Sequence, residues 1–195
     1  MAFIFKIQIM GITKPPVWRR LLVPSHFTFA RFHKVLQVAF GWEDVHLYKY
    51  SDAPYGGTFE IIEQSEEDED FLDNFRSIER YDAEKLKLSD YFSESQRDLV
   101  YLYDFGDDWV HKIVLEEIRE TEHPLFASCL KGSGACPPED IGGPMGYEEM
   151  KRVFREEPES EAADQYAEWL WIEPEEGYDP KEFYLKVVNM SLLGV

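Results

Sequence analysis

The sequence lacks a long apolar run. Nowhere in its 195 residues do apolar side chains approach the roughly 18 in succession that a membrane-spanning helix needs. Residues 1–10 alternate apolar and polar side chains, unlike the hydrophobic stretch of a signal peptide. The sequence therefore predicts a cytoplasmic protein with no membrane partner.

Cysteine and basic residues are also scarce. The seven-residue offset between Cys129 and Cys136 does not match the two-residue gap of a zinc knuckle, so we expect two free thiols. The chain has 20 lysines and arginines against 39 aspartates and glutamates, a net charge of −19. Because this charge repels a phosphate backbone, nucleic-acid binding is disfavoured, whereas a protein partner is compatible with it.

Recognisable enzyme motifs are missing as well. The glycine-rich segment has neither phosphate-loop nor dinucleotide-binding spacing, and no Ser-His-Asp set stands in a recognisable local context. The sequence consequently leaves open whether the protein is an enzyme, and it identifies no cofactor.

The patterning that is present predicts an α+β fold. Alternating segments predict strands at 2–10, 17–24, 46–51, 58–62, 99–105 and 110–118. Periodic segments predict helices from Ser25 or Thr28 to residue 40 and at 147–156, 160–171 and 180–192, while 86–92 is ambiguous. Since strands and helices do not alternate regularly, we expect a mainly antiparallel sheet packed with an N-terminal helix and a helical C-terminal third.

Length and an apolar share of 44% favour a single domain over residues 1–195. Three regions stand out within it. An acidic loop is predicted at 63–74, a loop rich in glycine and proline at 123–146, and a helical C-terminal part at 147–195.

The densest cluster of polar and aromatic residues is the block from Tyr103 to Trp109, followed by His111. It places Asp104, Asp107 and Asp108 beside an indole and an imidazole on a predicted hairpin turn. An ordinary turn needs one glycine and one aspartate, so this density indicates a site.

The 123–146 loop supplies a second group of candidates, because glycines and prolines can hold backbone N–H groups rigidly around a ligand. We predict that Glu139 and Asp140 face the 103–111 turn or cap the following helix. The candidate binding surface then comprises Asp104, Asp107, Asp108, Trp109, His111, Cys136, Glu139 and Asp140. A rigid structural loop with buried thiols is the alternative.

Carboxylates beside an imidazole could also hold a metal ion, with His46, His111 and Asp107 as candidate ligands. The spacing of a calcium loop is absent, however, and this favours ordinary roles. In that interpretation Asp107 and Asp108 accept backbone hydrogen bonds, Asp104 pairs with an arginine, and His111 faces out from its strand.

Residues 1–50 differ from the rest in charge, with seven basic and two acidic side chains. A basic N-terminal face would offer Arg19, Arg31 and Lys34 to a nucleic acid. Such a face could equally meet the acidic remainder of the chain.

Several segments together resemble the plasmid Ri open-reading-frame-three-like family. They are Pro15 to Arg20, Phe40-Gly41-Trp42 with His46, Tyr103 to Trp109 with His111, and Cys136 to Asp140 with Gly142-Gly143-Pro144 and Gly146-Tyr147. The resemblance implies a compact α+β domain of unknown function, similar to an insertion-element passenger protein called resolvase-like. It also implies cysteine where this chain has Ile141, which argues against a three-thiolate metal site here.

The resolvase label finds no support in the residues, since the arginine-rich active site and basic DNA-binding module of a serine recombinase are missing. We interpret that label as association with mobile elements. The leading hypothesis is a binding or accessory protein whose functional surface lies where the 103–111 turn meets the 129–147 loop. The alternatives are a metal-dependent hydrolase using aspartate and histidine ligands, and nucleic-acid binding through the basic N-terminal face.

Overall fold

The structure is a computed structural model that describes residues 1–64, 78–120, 125–173 and 177–195. Most of the predicted acidic loop, residues 65–74, lies outside the described residues. Within them, no helix has the length and apolar character needed to cross a bilayer.

Eight strands in the described residues form one sheet with the order β5-β4-β3-β6-β7-β1-β2-β8. The strands are β1 (Ala2–Ile9), β2 (Trp18–Pro24), β3 (Tyr48–Ser51), β4 (Phe59–Ile62), β5 (Glu79–Asp82), β6 (Asp98–Tyr103), β7 (Trp109–Arg119) and β8 (Ser128–Ser133). Neighbouring strands pair antiparallel except β4 and β5, which pair parallel.

Helices flank this sheet. They are α1 (Phe29–Phe40), the short α2 (Leu88–Tyr91), α3 (Gly143–Glu156), α4 (Glu161–Leu170) and α5 (Leu185–Leu192). The Thr28 side chain caps α1 by accepting from the Arg31 N–H, and Gly41 ends it with a φ of 98°.

The core lies where α1 covers one face of the sheet. The inward rings of β1 meet rings of α1 and of the residue that follows α2, with centroid distances of 5.1 Å between Phe5 and Phe32 and 4.7 Å between Phe5 and Phe92. These rings are buried, which explains why alternation in β1 and helical spacing in α1 are both visible in the sequence.

The predicted α+β fold with an antiparallel sheet, an N-terminal helix and C-terminal helices is confirmed. Some boundaries were wrong. The 123–146 segment is not one loop, because it contains β8 and the first turn of α3. The last helix begins at Leu185 rather than residue 180, and the ambiguous 86–92 segment contains α2.

Strand order places the turn after β6 beside the segment that enters β3. β6 lies between β3 and β7, pairing Tyr103 with Tyr48 on one side and with Trp109 on the other. The Asp104 N–H then donates to the Leu47 carbonyl at 3.0 Å, so the residues before β3 adjoin the β6–β7 turn.

Candidate functional site

The β6–β7 turn holds two of its three aspartates in a left-handed backbone. Asp104 and Asp108 have φ values of 54° and 56°, a region that aspartate tolerates better than most residues. The Oδ1 of Asp104 accepts from the Gly106 N–H at 2.8 Å. Its other oxygen, Oδ2, is directed away from this turn bond and faces His46.

The loop between β8 and α3 packs directly on this turn. The Oδ2 of Asp107 accepts from the Gly142 N–H at 3.0 Å, and the Trp42 indole donates to the Pro137 carbonyl at 2.9 Å. Gly143 has a φ of 68°, and a Cβ there would lie 2.3 Å from the Asp107 carbonyl oxygen. This junction therefore requires a glycine at position 143.

His46 faces carboxylates from both segments. Its Nε2 lies 3.1 Å from Asp140 Oδ1, 3.6 Å from Asp104 Oδ2 and 3.9 Å from Glu139 Oε2. One ligand atom each from His46, Asp104 and Asp140 lies within 4.8 Å of the others. We call His46, Asp104, Glu139 and Asp140 the His46 cluster.

Glu139 is held in place through one of its two oxygens. Its Oε1 accepts from the Tyr103 hydroxyl at 3.0 Å and from the Glu43 N–H at 2.9 Å. Burial and the adjacent Glu139 carboxylate raise the pKa of Tyr103, so the phenol stays protonated and donates. The Oε2 of Glu139 is left free to face His46.

Two polar atoms of the cluster are buried without a hydrogen bond. Neither His46 Nε2 nor Glu139 Oε2 has a hydrogen-bond partner in the part of the chain that the structure describes, although Asp140 Oδ1 is 3.1 Å from the nitrogen. Buried polar atoms are normally satisfied, and the side-chain groups that face this ring nitrogen are three carboxylates.

Comparison with known proteins places the chain in a family. The model of the family described as plasmid pRiA4b ORF-3-like protein matches residues 1–187. The chain belongs to this family. It is 35% identical to the uncharacterized protein y4hQ of Sinorhizobium fredii over 160 residues, which cover 80% of this chain and 74% of y4hQ.

A solved structure shares the family's fold. The crystal structure of MM3350 from Methanosarcina mazei, a protein of unknown function, is similar with a TM-score of 0.77 and 34% identity, covering 95% of both chains. The resemblance that the sequence motifs suggested is thus confirmed, and the function of the family members compared remains unknown.

Two of the predicted candidates lie in the core. His111 and Trp109 are fully buried, which corrects the expectation that His111 faces out from its strand. His111 Nδ1 donates to the Trp109 carbonyl at 2.8 Å, and burial lowers the pKa of the imidazole to about 3. The group of potential ligands that converges around His46 contains neither His111 nor Asp107.

The remaining candidates differ in role. Asp107 joins the turn to Gly142, whereas the Asp108 carboxylate faces the Tyr55 hydroxyl. Among the described residues, Asp104 approaches His46 and makes no ion pair with an arginine, contrary to one of the alternatives above. Burial raises the pKa of the Cys136 thiol, and both cysteines are free.

The proposed basic face loses one of its residues. Arg19 is only 3% exposed, so it cannot contact a nucleic acid from the surface. Arg31 stacks on Phe27 and donates to the Val195 carbonyl, and Lys34 is exposed. Of the three candidates, Arg31 and Lys34 therefore remain on the accessible side of α1, one helical turn apart.

One buried polar network was missed. His33 Nδ1 lies 2.7 Å from the Tyr101 hydroxyl and its Nε2 lies 2.5 Å from Asp44 Oδ1, while the His33 ring stacks on Tyr48 at 3.6 Å. His33 falls on the inward face of α1, and this position in the helical pattern is the sequence signal that identifies it as a buried residue. No local pattern could have paired it with Tyr101 on β6.

Proposed function

We propose that this chain is a metal-binding protein whose ion site is the His46 cluster. The observation that supports this most strongly is the His46 Nε2 atom, which is buried among three carboxylates and makes no hydrogen bond to the described residues. An ion at that position would accept the nitrogen lone pair and neutralise the carboxylates.

The spacing of the ligand atoms fits a small dication. With bonds of roughly 2.1 Å, neighbouring ligands of an octahedral ion lie about 3.0 Å apart and opposite ones about 4.2 Å apart. The distances from His46 Nε2 to the three carboxylates, 3.1, 3.6 and 3.9 Å, fall in this interval.

The ligand types favour a transition metal. Imidazole is a poor ligand for Mg²⁺ and Ca²⁺ but suits Zn²⁺ and Fe²⁺, and carboxylates suit Mn²⁺ as well. Three neighbouring carboxylates also repel one another, and a dication relieves that repulsion. We therefore expect Mn²⁺, Fe²⁺ or Zn²⁺ and no selective binding of Mg²⁺.

Calorimetric titration of chelator-treated protein with Mn²⁺ and Zn²⁺ tests the proposal. The parent should bind one ion, whereas His46→Ala and Asp104→Asn should bind at least about tenfold more weakly. Asp108→Asn is the matched control, because Asp108 has nearly the same φ in the same turn but lies outside the cluster. Asparagine tolerates this backbone, so both substitutions should fold.

Absence of binding, or equal binding by the parent and His46→Ala, would overturn the proposal.

The exposure of one ligand favours a second candidate function, metal-dependent hydrolysis. The Asp140 side chain is 71% exposed, while that of Asp104 is 10% exposed, so one side of the cluster is open to solvent. A bound ion would activate water there.

Turnover of bis(p-nitrophenyl) phosphate or p-nitrophenyl acetate in the presence of Mn²⁺ tests hydrolysis. Turnover that is lost in His46→Ala would support it. Metal binding without turnover of either substrate would leave a binding protein.

A further inference from the structure

A second site-like feature lies between α1, α5 and the segment that follows β8, where a cavity of about 370 Å³ contains a buried arginine. Arg19 lines this cavity and is 3% exposed. Its guanidinium lies 5.1 Å from the Phe40 ring centroid and 4.4 Å from that of Phe183. Two aromatic faces therefore hold the charged group in a fixed orientation.

Arg19 has no acidic partner among the described residues. It donates four hydrogen bonds to the carbonyls of Ala39, Trp18, Ser133 and Gly134, at 2.8 to 3.1 Å. Burial lowers its pKa, and the groups that oppose this effect are Cys136, Cys129 and Tyr147, not a carboxylate. A buried cation without a counter-ion is costly, and an anion beside it would be stabilised.

A guanidinium has five N–H groups, and the four hydrogen bonds of Arg19 use one from Nε, two from Nη1 and one from Nη2. The second N–H of Nη2 is therefore left without a described partner. The rest of the cavity is largely apolar and includes Val38, Val187 and Val188. Glu182 also lines it and is exposed, which disfavours a doubly charged ligand. One free donor, an apolar wall and a nearby carboxylate suit a monoanion with an apolar body.

We propose that this cavity binds a small organic monocarboxylate, with the carboxylate beside Arg19 and the apolar body against Val187 and Val188. This site is separate from the His46 cluster and does not depend on a metal ion. It uses the charge of Arg19, which neither of the functions proposed above employs.

Ligand-observed NMR and calorimetry with four probes test this proposal on the full chain. The probes are phenylacetate, octanoate, the neutral phenylacetamide and inorganic phosphate. At least one carboxylate should bind, and phenylacetamide should bind at least about tenfold more weakly than phenylacetate, since it lacks the charge. Phosphate should not bind.

Two variants separate this site from non-specific binding. Val187→Trp should fill the cavity and abolish carboxylate binding, while Met190→Trp, on the same helix but outside the cavity, should bind as the parent does. Both positions are exposed, so both variants should fold. Arg19→Met should also lose binding, provided that circular dichroism shows it folded.

Three results would overturn the proposal: no carboxylate binding up to about 10 mM, equal affinity for phenylacetamide and phenylacetate, or unchanged binding by Val187→Trp.

Discussion

The Tyr103 hydroxyl donates a hydrogen bond to the Glu139 carboxylate at 3.0 Å. This bond joins the end of β6 to the loop before α3 and leaves the second Glu139 oxygen facing His46. Tyr103 is therefore a positioning residue for the proposed ion site.

Tyr103→Phe should weaken Mn²⁺ or Zn²⁺ binding by about tenfold, because the Glu139 carboxylate loses one of the two donors that orient it and keeps the Glu43 N–H. Calorimetric titration measures the change. Tyr50→Phe is the control, since Tyr50 also donates from a buried hydroxyl, to the Phe29 carbonyl, but lies outside the cluster. Equal metal affinity in the parent and Tyr103→Phe would remove the positioning role.

Gly143→Ala should destabilise the junction between turn and loop. A Cβ at this position would lie 2.3 Å from the Asp107 carbonyl oxygen, in addition to the strain of a φ of 68°. Gly56→Ala is the matched control because Gly56 has a φ of 66° and open space around it.

The control should lose about 1 kcal/mol of unfolding free energy from backbone strain, and Gly143→Ala roughly 2 kcal/mol more from the clash. Urea denaturation measures both. Similar losses in the two variants would mean that the loop shifts away from the turn at little cost.

The free energy of unfolding should decrease as the pH is lowered, because His111 is buried in its neutral form. Its pKa is lowered to about 3 in the folded protein, whereas an unfolded histidine has a pKa of about 6.5. The unfolded state consequently binds more protons between these values. The contribution of neutral His111 is complete above about pH 6.5 and declines as pH falls, by up to about 1.4 kcal/mol per unit.

His111→Phe should flatten this dependence between about pH 6.5 and 4, measured by urea unfolding at several pH values. His26→Gln serves as the control because His26 is exposed, and the pKa of its imidazole is lowered without deep burial. An unchanged slope in His111→Phe would show that His111 is not held neutral.

Both thiols should be unreactive in the folded protein. Burial raises the pKa of Cys129 and of Cys136, so little thiolate is present at pH 8. Alkylation by iodoacetamide, followed by mass spectrometry, should be at least about tenfold slower than in urea. Cys129→Ser and Cys136→Ser assign each rate, and rapid labelling of native Cys136 would indicate an activated thiol.

Much of the fold could be predicted because its causes are local. Alternation in β1 and β2, the cap at Thr28 and the glycine at position 41 are properties of short segments, and the structure agrees with them. The end of the last helix was also predictable, but its start was not. A proline at position 180 favours a helix start there, yet residues 182–184 are not helical.

The sequence by itself determined which segments are densest in candidate polar residues, namely the 103–109 turn and the loop that contains Glu139 and Asp140. Tertiary structure decided how they combine. His46, Asp104 and Asp140 come from separate segments, and the order β3-β6-β7 brings the first two together. Strand order depends on pairings between distant segments, which local periodicity does not encode.

Tertiary structure also decides that His111 lies outside the His46 cluster. Alternation shows that residue 111 shares a face with Trp109 and Ile113, but only the packing of α1 determines that this face is the covered one. Burial then makes His111 a neutral core residue, whereas His46, which precedes β3, faces the carboxylates of Asp104 and Asp140.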